Sequence, residues 1–311
     1  MIISSVDQLV GQTPIMAFNH YHIPEIPLGS ILYAKLEYLN PGGSIKDRLG
    51  YHLIESGIQS GHIQKGMMLI EPTAGNTGIG LALAAQKYNL AVTVVVPEKF
   101  SIEKQQLMKA LGAKIILTPT ERGMTGAIEK AKELVMEIPN SFMPSQFSNQ
   151  ANPETYYKSL GPEIVAEVGS DITSFVAGIG SGGTFSGTAC YLWESQKNIR
   201  LVGVEPEGSI LNGGLSHGHD IEGIGVELIP PFLEEIPISQ FITISDSEGF
   251  YYTKKLAKEF GILVGSSSGA ALAASLQEIK QLPAGSQVVT IFPDSGDRYL
   301  SNNIYEYEER K

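Results

Sequence analysis

Short runs of β-branched and aliphatic residues alternate along this chain with longer stretches whose apolar positions recur every three to four residues. Residues 31–36, 67–70, 92–96, 114–117, 174–177, 201–204 and 287–291 have the length and composition of strands. Between them, residues 47–59 predict a helix, with Leu49/Leu53 and Ile54/Ile58 one turn apart. Further helices are predicted over 77–87, near 101–110 and 183–194, and over 246–260 and 268–280. The helix at 77–87 is rich in Gly and Ala, which suits close packing. Strand–helix alternation of this kind predicts an α/β fold with mostly parallel twisted sheets flanked by helices. Such sheets place ligand sites at the carboxyl ends of their strands. Residues 206–231 carry many Gly and no clear period, and read as a loop that forms the rim of a site.

Composition narrows the function classes. A chain of 311 residues accommodates about two domains, with a boundary expected near residue 150. Hydrophobic residues at 42% and charged residues at 18% are those of a folded globular protein. A net charge of −11, with no run of Lys and Arg, argues against a nucleic-acid partner. The single cysteine, Cys190, excludes an intrachain disulfide and fits a reducing compartment. It is expected to be a small buried residue. The first residues, MIISSVDQLVGQTP, lack the basic start and apolar core of a signal peptide, and no apolar run is long enough for a bilayer. The expectation is a cytoplasmic protein that does not enter membranes.

Four stretches carry candidate chemistry. In Asn40-Pro41-Gly42-Gly43-Ser44-Ile45-Lys46-Asp47-Arg48, a turn leads into a helix and sets Lys46 at its amino end. The helix dipole disfavours a cation there by several tenths of a kcal/mol or more, which suits an amine nucleophile. An exposed lysine offset by Asp47 explains the stretch as well. In Glu71-Pro72-Thr73-Ala74-Gly75-Asn76-Thr77-Gly78, hydroxyls and backbone amides at a helix start form an anion site suited to a carboxylate; a capped strand-to-helix turn is the plainer alternative. In Gly178-Ile179-Gly180-Ser181-Gly182-Gly183-Thr184, four glycines in six positions make a nest of N–H donors for a phosphate. Gly178, Gly180 and Gly183 also satisfy G-x-G-x-x-G, and Glu205 lies at a distance suited to a ribose, so a dinucleotide-binding oxidoreductase remains open. Gly265-Ser266-Ser267-Ser268-Gly269 opens a helix with a serine available to a ring nitrogen, or to a cap. His217, His219 and Asp220 sit in a Gly-rich loop without further ligands, and no metal is expected. Tyr156 and Tyr157 are expected to pack a helix.

Together these stretches resemble the cysteine synthase and cystathionine β-synthase family of pyridoxal-phosphate enzymes, fold type II. The similarity runs from Gly11-Gln12-Thr13-Pro14 to Pro293-Asp294-Ser295-Gly296-Asp297-Arg298-Tyr299. The resemblance implies two domains: a larger cofactor-binding one of residues 1–45 and 151–311, and a smaller, mobile substrate-binding one of residues 46–150. It implies that Lys46 binds pyridoxal phosphate covalently and later shuttles the Cα proton. Asn76 then contacts the ring hydroxyl oxygen, Gly180, Ser181, Gly182, Gly183 and Thr184 hold the phosphate, and Ser267 faces the pyridine nitrogen. Thr73, Gly75, Asn76, Thr77 and Gln146 grip the substrate carboxylate, and Gly223 lies in a loop near the site. Many relatives carry Ser where this chain has Ala74, so the carboxylate grip leans more on backbone amides.

A serine opposite the pyridine nitrogen, unlike an aspartate, cannot protonate it strongly. The ring is then a weaker electron sink, and loss of a β-substituent fits better than transamination. The stretches Gly203-Val204-Glu205-Pro206-Glu207-Gly208-Ser209-Ile210-Leu211 and Glu222-Gly223-Ile224-Gly225 resemble the cystathionine β-synthase branch, where plain cysteine synthases often have Gln at the position of Glu222. A rim carboxylate suits the amino group of an amino-acid nucleophile such as homocysteine; a solvated loop charge is the alternative. The expected reaction joins O-acetylserine or serine to homocysteine, with hydrogen sulfide release from cysteine as a side activity. Cysteine synthesis from O-acetylserine and sulfide is the near alternative. The partners implied are small amino acids and a thiol, and a second copy of the chain in a homodimer.

Overall fold

The structure, a computed structural model, describes residues 2–73 and 75–306. Their strands are β1 (Ile15–Phe18), β2 (Ile31–Leu36), β3 (Met68–Pro72), β4 (Ala91–Pro97), β5 (Lys114–Thr118), β6 (Ser141–Phe142), β7 (Ser174–Gly178), β8 (Arg200–Pro206), β9 (Gln240–Ile244) and β10 (Gln287–Phe292). Their α-helices are α1 (Lys46–Gln59), α2 (Asn76–Tyr88), α3 (Ile102–Ala110), α4 (Gly123–Glu137), α5 (Ala151–Lys158), α6 (Leu160–Val168), α7 (Gly183–Ser195), α8 (Asp246–Phe260) and α9 (Ser266–Gln281). The chain divides into two compact units: Met1–Val10 with Asn40–Thr155, and Gly11–Leu39 with Tyr156–Lys311.

The smaller unit holds a four-stranded sheet in the order β5-β4-β3-β6, parallel throughout. From β3 the chain winds outward through β4 to β5, then returns through α4 to place β6 on the other side of β3. The strand order therefore reverses at β3, the position where open α/β sheets bind ligands. Strand β4 is buried along nearly its whole length, as a central parallel strand covered on both faces should be, whereas edge strand β5 buries only Thr118. Helix α4 turns Ala127, Ala131 and Leu134 onto Ile70 and Val95, one helical face closing the core on that side.

The larger unit holds a six-stranded sheet in the order β1-β2-β10-β7-β8-β9. Only the β1–β2 pairing is antiparallel. Here β7, β8 and β9 wind outward, and β10 returns to lie between β7 and β2, so the reversal falls between β7 and β10. Its core runs through Val176, Val202, Val204, Ile242 and Val288 of the sheet and Leu272, Leu276 and Ile279 of α9. Lys35 of β2 is fully buried: its Nζ donates to the Thr13 carbonyl at 2.6 Å and pairs with Glu163 at 3.1 Å and Glu167 at 2.9 Å. That cluster ties the Gly11–Pro14 stretch to α6.

The expected boundary near 150 falls after Thr155, and the expected one after 45 falls after Leu39. Residues 40–45 belong with the smaller unit because they form the turn that starts α1. The first ten residues join it too, where Asp7 pairs with Lys87 of α2 at 2.7 Å. Residues 207–239 carry only one short 3-10 turn, Pro231–Leu233, in keeping with the loop expected there.

Candidate active site

Lys46 is the first residue of α1, as its sequence context predicts, and it is half-buried. Its N–H donates to Ser44 Oγ at 3.2 Å. Asp47 is fully buried, and its carboxylate accepts the Gly42 N–H at 2.5 Å. Rather than standing beside Lys46 as a solvated counter-charge, Asp47 turns back to close the loop that presents it. Helix α1 lies hard against α2. A Cβ at Gly80 would stand 2.2 Å from the Lys46 carbonyl oxygen, and one at Gly50 would stand 2.2 Å from the Gly80 carbonyl oxygen. Two glycines thus let the helix that carries Lys46 and the helix that begins at Asn76 touch backbone to backbone.

Helix α2 starts directly after β3, with Gly75 as its N-cap. Thr73 and Thr77 are buried, while Gly75 and Asn76 are half-buried at its opening turn. The Gly75 N–H donates to Thr73 Oγ1 at 3.3 Å. Ala74, whose place in the carboxylate grip the sequence singled out, lies outside the described residues. Thr77 Oγ1 donates to Gln146 Oε1 at 2.7 Å, so two predicted substrate residues 69 positions apart meet. That bond occupies the amide oxygen of Gln146, and nothing among the described residues accepts from its Nε2. The two Nε2 hydrogens are what a carboxylate accepts.

Behind Gln146 stands Glu71, the penultimate residue of β3. Its carboxylate is fully buried and accepts the N–H of Ser145 at 2.8 Å and of Gln146 at 3.0 Å. Burial pushes this carboxyl up from its ordinary 4.5 to about 7, against the opposing pull of the two amides. Ser145 adopts a φ of 57°, the left-handed region that a residue with a Cβ enters at a cost of about 1–2 kcal/mol. Asn152 Nδ2 donates to the Gln146 carbonyl at 2.7 Å and fixes the segment from its other side.

In the larger unit, β7 ends at Gly178 and α7 begins at Gly183. Gly182 caps that helix at a φ of 85°, and a Cβ at Gly180 would stand 2.5 Å from the Gly223 carbonyl oxygen. The loop is therefore confined to glycine where backbone meets backbone. Ser181 and Thr184 are half-buried beside it. The first amides of a 13-residue helix cannot be satisfied within the helix, and with two hydroxyls they form a donor set that fits a phosphate dianion. Gly225 N–H donates to the Ile179 carbonyl at 2.8 Å, so the stretch from Gly223 to Gly225 straps the same loop.

Ser267 lies buried in the first turn of α9. The Glu222 N–H donates to Ser266 Oγ at 3.2 Å, and Asn302 Nδ2 donates to Glu222 Oε1 at 2.8 Å. Glu222 is thus oriented by the α9 start and by Asn302. Asp294, just past β10, is buried. Its carbonyl accepts the Gly265 N–H at 3.1 Å, and its carboxylate accepts the Tyr299 hydroxyl. Burial holds the Tyr299 phenol well above its ordinary range. Glu71, Asn302, Asp294 and Tyr299 were not singled out from sequence as support for the site. The Pro293–Tyr299 stretch signalled the last two.

Two sequence expectations change. Glu205, considered as a ribose ligand, is fully buried and accepts the N–H groups of Leu211 at 2.8 Å and Asn212 at 3.0 Å, and the Thr243 hydroxyl at 3.0 Å. Its carboxylate organises its own loop, which removes the support for a dinucleotide. Cys190 is half-buried rather than buried; burial and nearby Glu194 push its thiol up, away from a reactive thiolate. Tyr156 is fully buried, and Tyr157 packs on α7 as expected, its ring edge-on to Tyr191 at 5.4 Å and its hydroxyl donating to Glu194 at 2.6 Å. No cluster suited to a metal occurs among the described residues, and none of their helices is long and apolar enough to cross a membrane.

Residues 6–294 match the family described as pyridoxal-phosphate dependent enzyme. A cysteine synthase of Helicobacter pylori (strain ATCC 700392 / 26695) is 62% identical, over 98% of this chain and 99% of that protein. An O-acetylserine dependent cystathionine beta-synthase of Bacillus subtilis (strain 168) is 52% identical, over 98% of each. The crystal structure of an O-acetylserine dependent cystathionine beta-synthase from Helicobacter pylori superposes with a TM-score of 0.96 at 62% identity, covering 98% of this chain and 99% of that one. These likenesses establish that the chain belongs to the pyridoxal-phosphate dependent enzymes, in the cysteine synthase and cystathionine β-synthase family.

Proposed function

We propose that this enzyme replaces the β-substituent of O-acetylserine or serine with homocysteine, giving cystathionine and releasing acetate or water, and that it also releases hydrogen sulfide from cysteine. Glu222 is the observation that carries the choice of thiol. Its carboxylate is held by Asn302, and its neighbours Gly223–Gly225 strap the glycine loop. A fixed carboxylate there binds the ammonium group of an amino-acid thiol, which sulfide lacks. The names of the relatives at 52% identity and of the 62% identical solved structure favour the same reading.

Pyridoxal phosphate, when bound, supplies an electron sink that acidifies the Cα–H of an amino acid. In our reading Lys46 binds the cofactor and holds the Cα proton on Nζ before returning it. Asn76 contacts the cofactor's ring hydroxyl oxygen, and Ser267 offers a neutral hydroxyl to its ring nitrogen. Gly180, Ser181, Gly182, Gly183 and Thr184 bind its phosphate, fixing the cofactor against rotation. Thr73, Gly75, Asn76, Thr77 and Gln146 take the substrate carboxylate, orienting Cα–H toward its base. Gly223 keeps the rim loop close to the phosphate loop. The smaller unit is the mobile, substrate-binding one, and the protein acts in the cytoplasm as a homodimer.

Cysteine synthesis from O-acetylserine and sulfide is the second reading, favoured by the name of the 62% identical relative. Purified enzyme given each donor with each thiol separates the two. Use of homocysteine supports our reading, and efficient use of sulfide with none of homocysteine refutes it. Glu222→Ala should lose homocysteine use while keeping sulfide use. Lys46→Ala should lose the yellow absorbance band of the wild type, and a colourless reconstituted wild type would overturn the assignment of Lys46. Sedimentation at working concentration tests the dimer.

A further inference from the structure

We infer that Glu71 is a positioning residue for the amino-acid donor, acting through Gln146 to set the grip on the substrate carboxylate. The inference rests on the reading above, in which Thr77 and Gln146 take that carboxylate. Glu71 is the penultimate residue of β3, the strand at which the sheet order of the smaller unit reverses, and Gln146 follows β6, the strand beside it. The Glu71 carboxylate is the clasp between these two strand ends. One of its oxygens accepts from Ser145 N–H and the other from Gln146 N–H. Once the carboxyl is ionised, above about pH 7, both bonds are charge-assisted and lie out of solvent, where such bonds are strongest.

Chemistry fixes why the residue is an acid. Two backbone N–H donors point at one side chain, and only a carboxylate offers an acceptor to both. Glutamine presents one oxygen and one NH2 group, so one amide would face a donor. The consequence reaches the ligand through a short chain of bonds. Glu71 fixes the backbone of residue 146, Thr77 fixes the amide oxygen of its side chain at 2.7 Å, and Nε2 is left to a ligand. Ser145 is held in the left-handed region at the same point, so without the clasp the turn is free to relax. Glu71 itself stays behind the loop and touches no ligand.

The test is Glu71→Gln in the holoenzyme at about pH 8, where the wild-type carboxyl is ionised, with O-acetylserine as donor. Its KM should rise about tenfold, the effect of losing one charge-assisted bond. The turnover number should fall less than about threefold, since only a binding contact is loosened. The thiol KM and the visible spectrum should not change. Amide exchange should quicken at Ser145 and Gln146. Glu71→Asp keeps the charge with a shorter reach and should recover part of the KM. Glu71→Gln added to Gln146→Ala should do no further harm, because both act on one contact. A wild-type donor KM in Glu71→Gln alongside a raised KM in Gln146→Ala overturns this inference alone, as do multiplying effects in the double variant. A wild-type donor KM in Gln146→Ala overturns the carboxylate reading and the inference with it. If Glu71→Gln does not accumulate, Glu71→Asp carries the same test, and an unchanged donor KM there is equally fatal.

Discussion

Gly80→Ala puts two opposing effects against each other. In an isolated helix the exchange is favourable, because alanine stabilises a helix interior by about 1 kcal/mol over glycine. In this protein the new Cβ would stand 2.2 Å from the Lys46 carbonyl oxygen and 2.7 Å from the carbonyl carbon. An ordinary contact needs roughly 1 Å more, and the obstacle is backbone, which has no rotamer to change. Overpacking of this kind costs about 1–3 kcal/mol, and a rigid obstacle sets it near the upper end. The clash wins, leaving the variant about 1–2 kcal/mol less stable.

The functional effect should exceed the stability effect. Moving α1 away from α2 moves its first residue, Lys46, the reacting group in the function we propose, and a misplacement of about 1 Å at such a group costs up to about 100-fold in rate. Gly57→Ala, in α1 itself, is the control. There the Cβ would meet Ile63 Cδ1 at 2.4 Å, the far end of a side chain that can turn aside. Urea unfolding of both variants, with turnover of each holoenzyme, makes the comparison. Gly80→Ala with wild-type stability and turnover would refute the argument, as would equal losses in Gly57→Ala.

Two further outcomes follow from buried charge. Between pH 4.5 and about 7 the folded chain keeps a proton on Glu71 that the unfolded chain has released. Stability therefore falls as pH rises through that window, and a cost on the order of 3 kcal/mol stands in full above it. Urea unfolding at about pH 5 and about pH 8 should show wild type losing ground to Glu71→Gln at the higher pH, whereas a constant difference refutes the linkage. Lys35→Met removes the cation that the Thr13 carbonyl, Glu163 and Glu167 surround. It should cost about 3 kcal/mol, the lower end for breaking a buried pair because both glutamates reach water; equal stability by urea unfolding would show that the cluster contributes nothing.

Most of the fold was legible because its signals are local. β2 has the expected limits, and β4, β7 and β8 extend theirs by one or two residues at the ends. The unanticipated strands lack the full buried signature: β6 has two residues, β1 has four, and edge strand β9 alternates only partly between buried and half-buried. Helix α4 did carry a readable period, Ala127, Ala131 and Leu134, but its core residues are small and few. In the site, Lys46, Thr77 and Gly182 stand where their neighbours in sequence place them. The closeness of Gly50 to Gly80, and of Glu71 to Ser145 74 residues on, depends on packing between elements and leaves no pattern along the chain.

Glu205 shows what a local motif misses and what the structure puts in its place. It is followed by Pro206 at the end of β8, as Glu71 is followed by Pro72 at the end of β3. Both acids are fully buried, and each takes two consecutive backbone N–H groups from a loop, residues 211 and 212 in one unit and 145 and 146 in the other. Proline offers no N–H itself, while the residue after it still donates to the neighbouring strand, Thr73 to the Val95 carbonyl at 3.1 Å and Glu207 to the Ile244 carbonyl at 2.9 Å; the acid before it, sealed from solvent, is satisfied by donors that a loop brings to it. The same dipeptide therefore serves as a clasp at the carboxyl end of a strand in each sheet. The sequence offered one Glu as a ribose ligand and the other as part of a carboxylate motif. Their common geometry makes them supports, each holding in place a loop of its own unit.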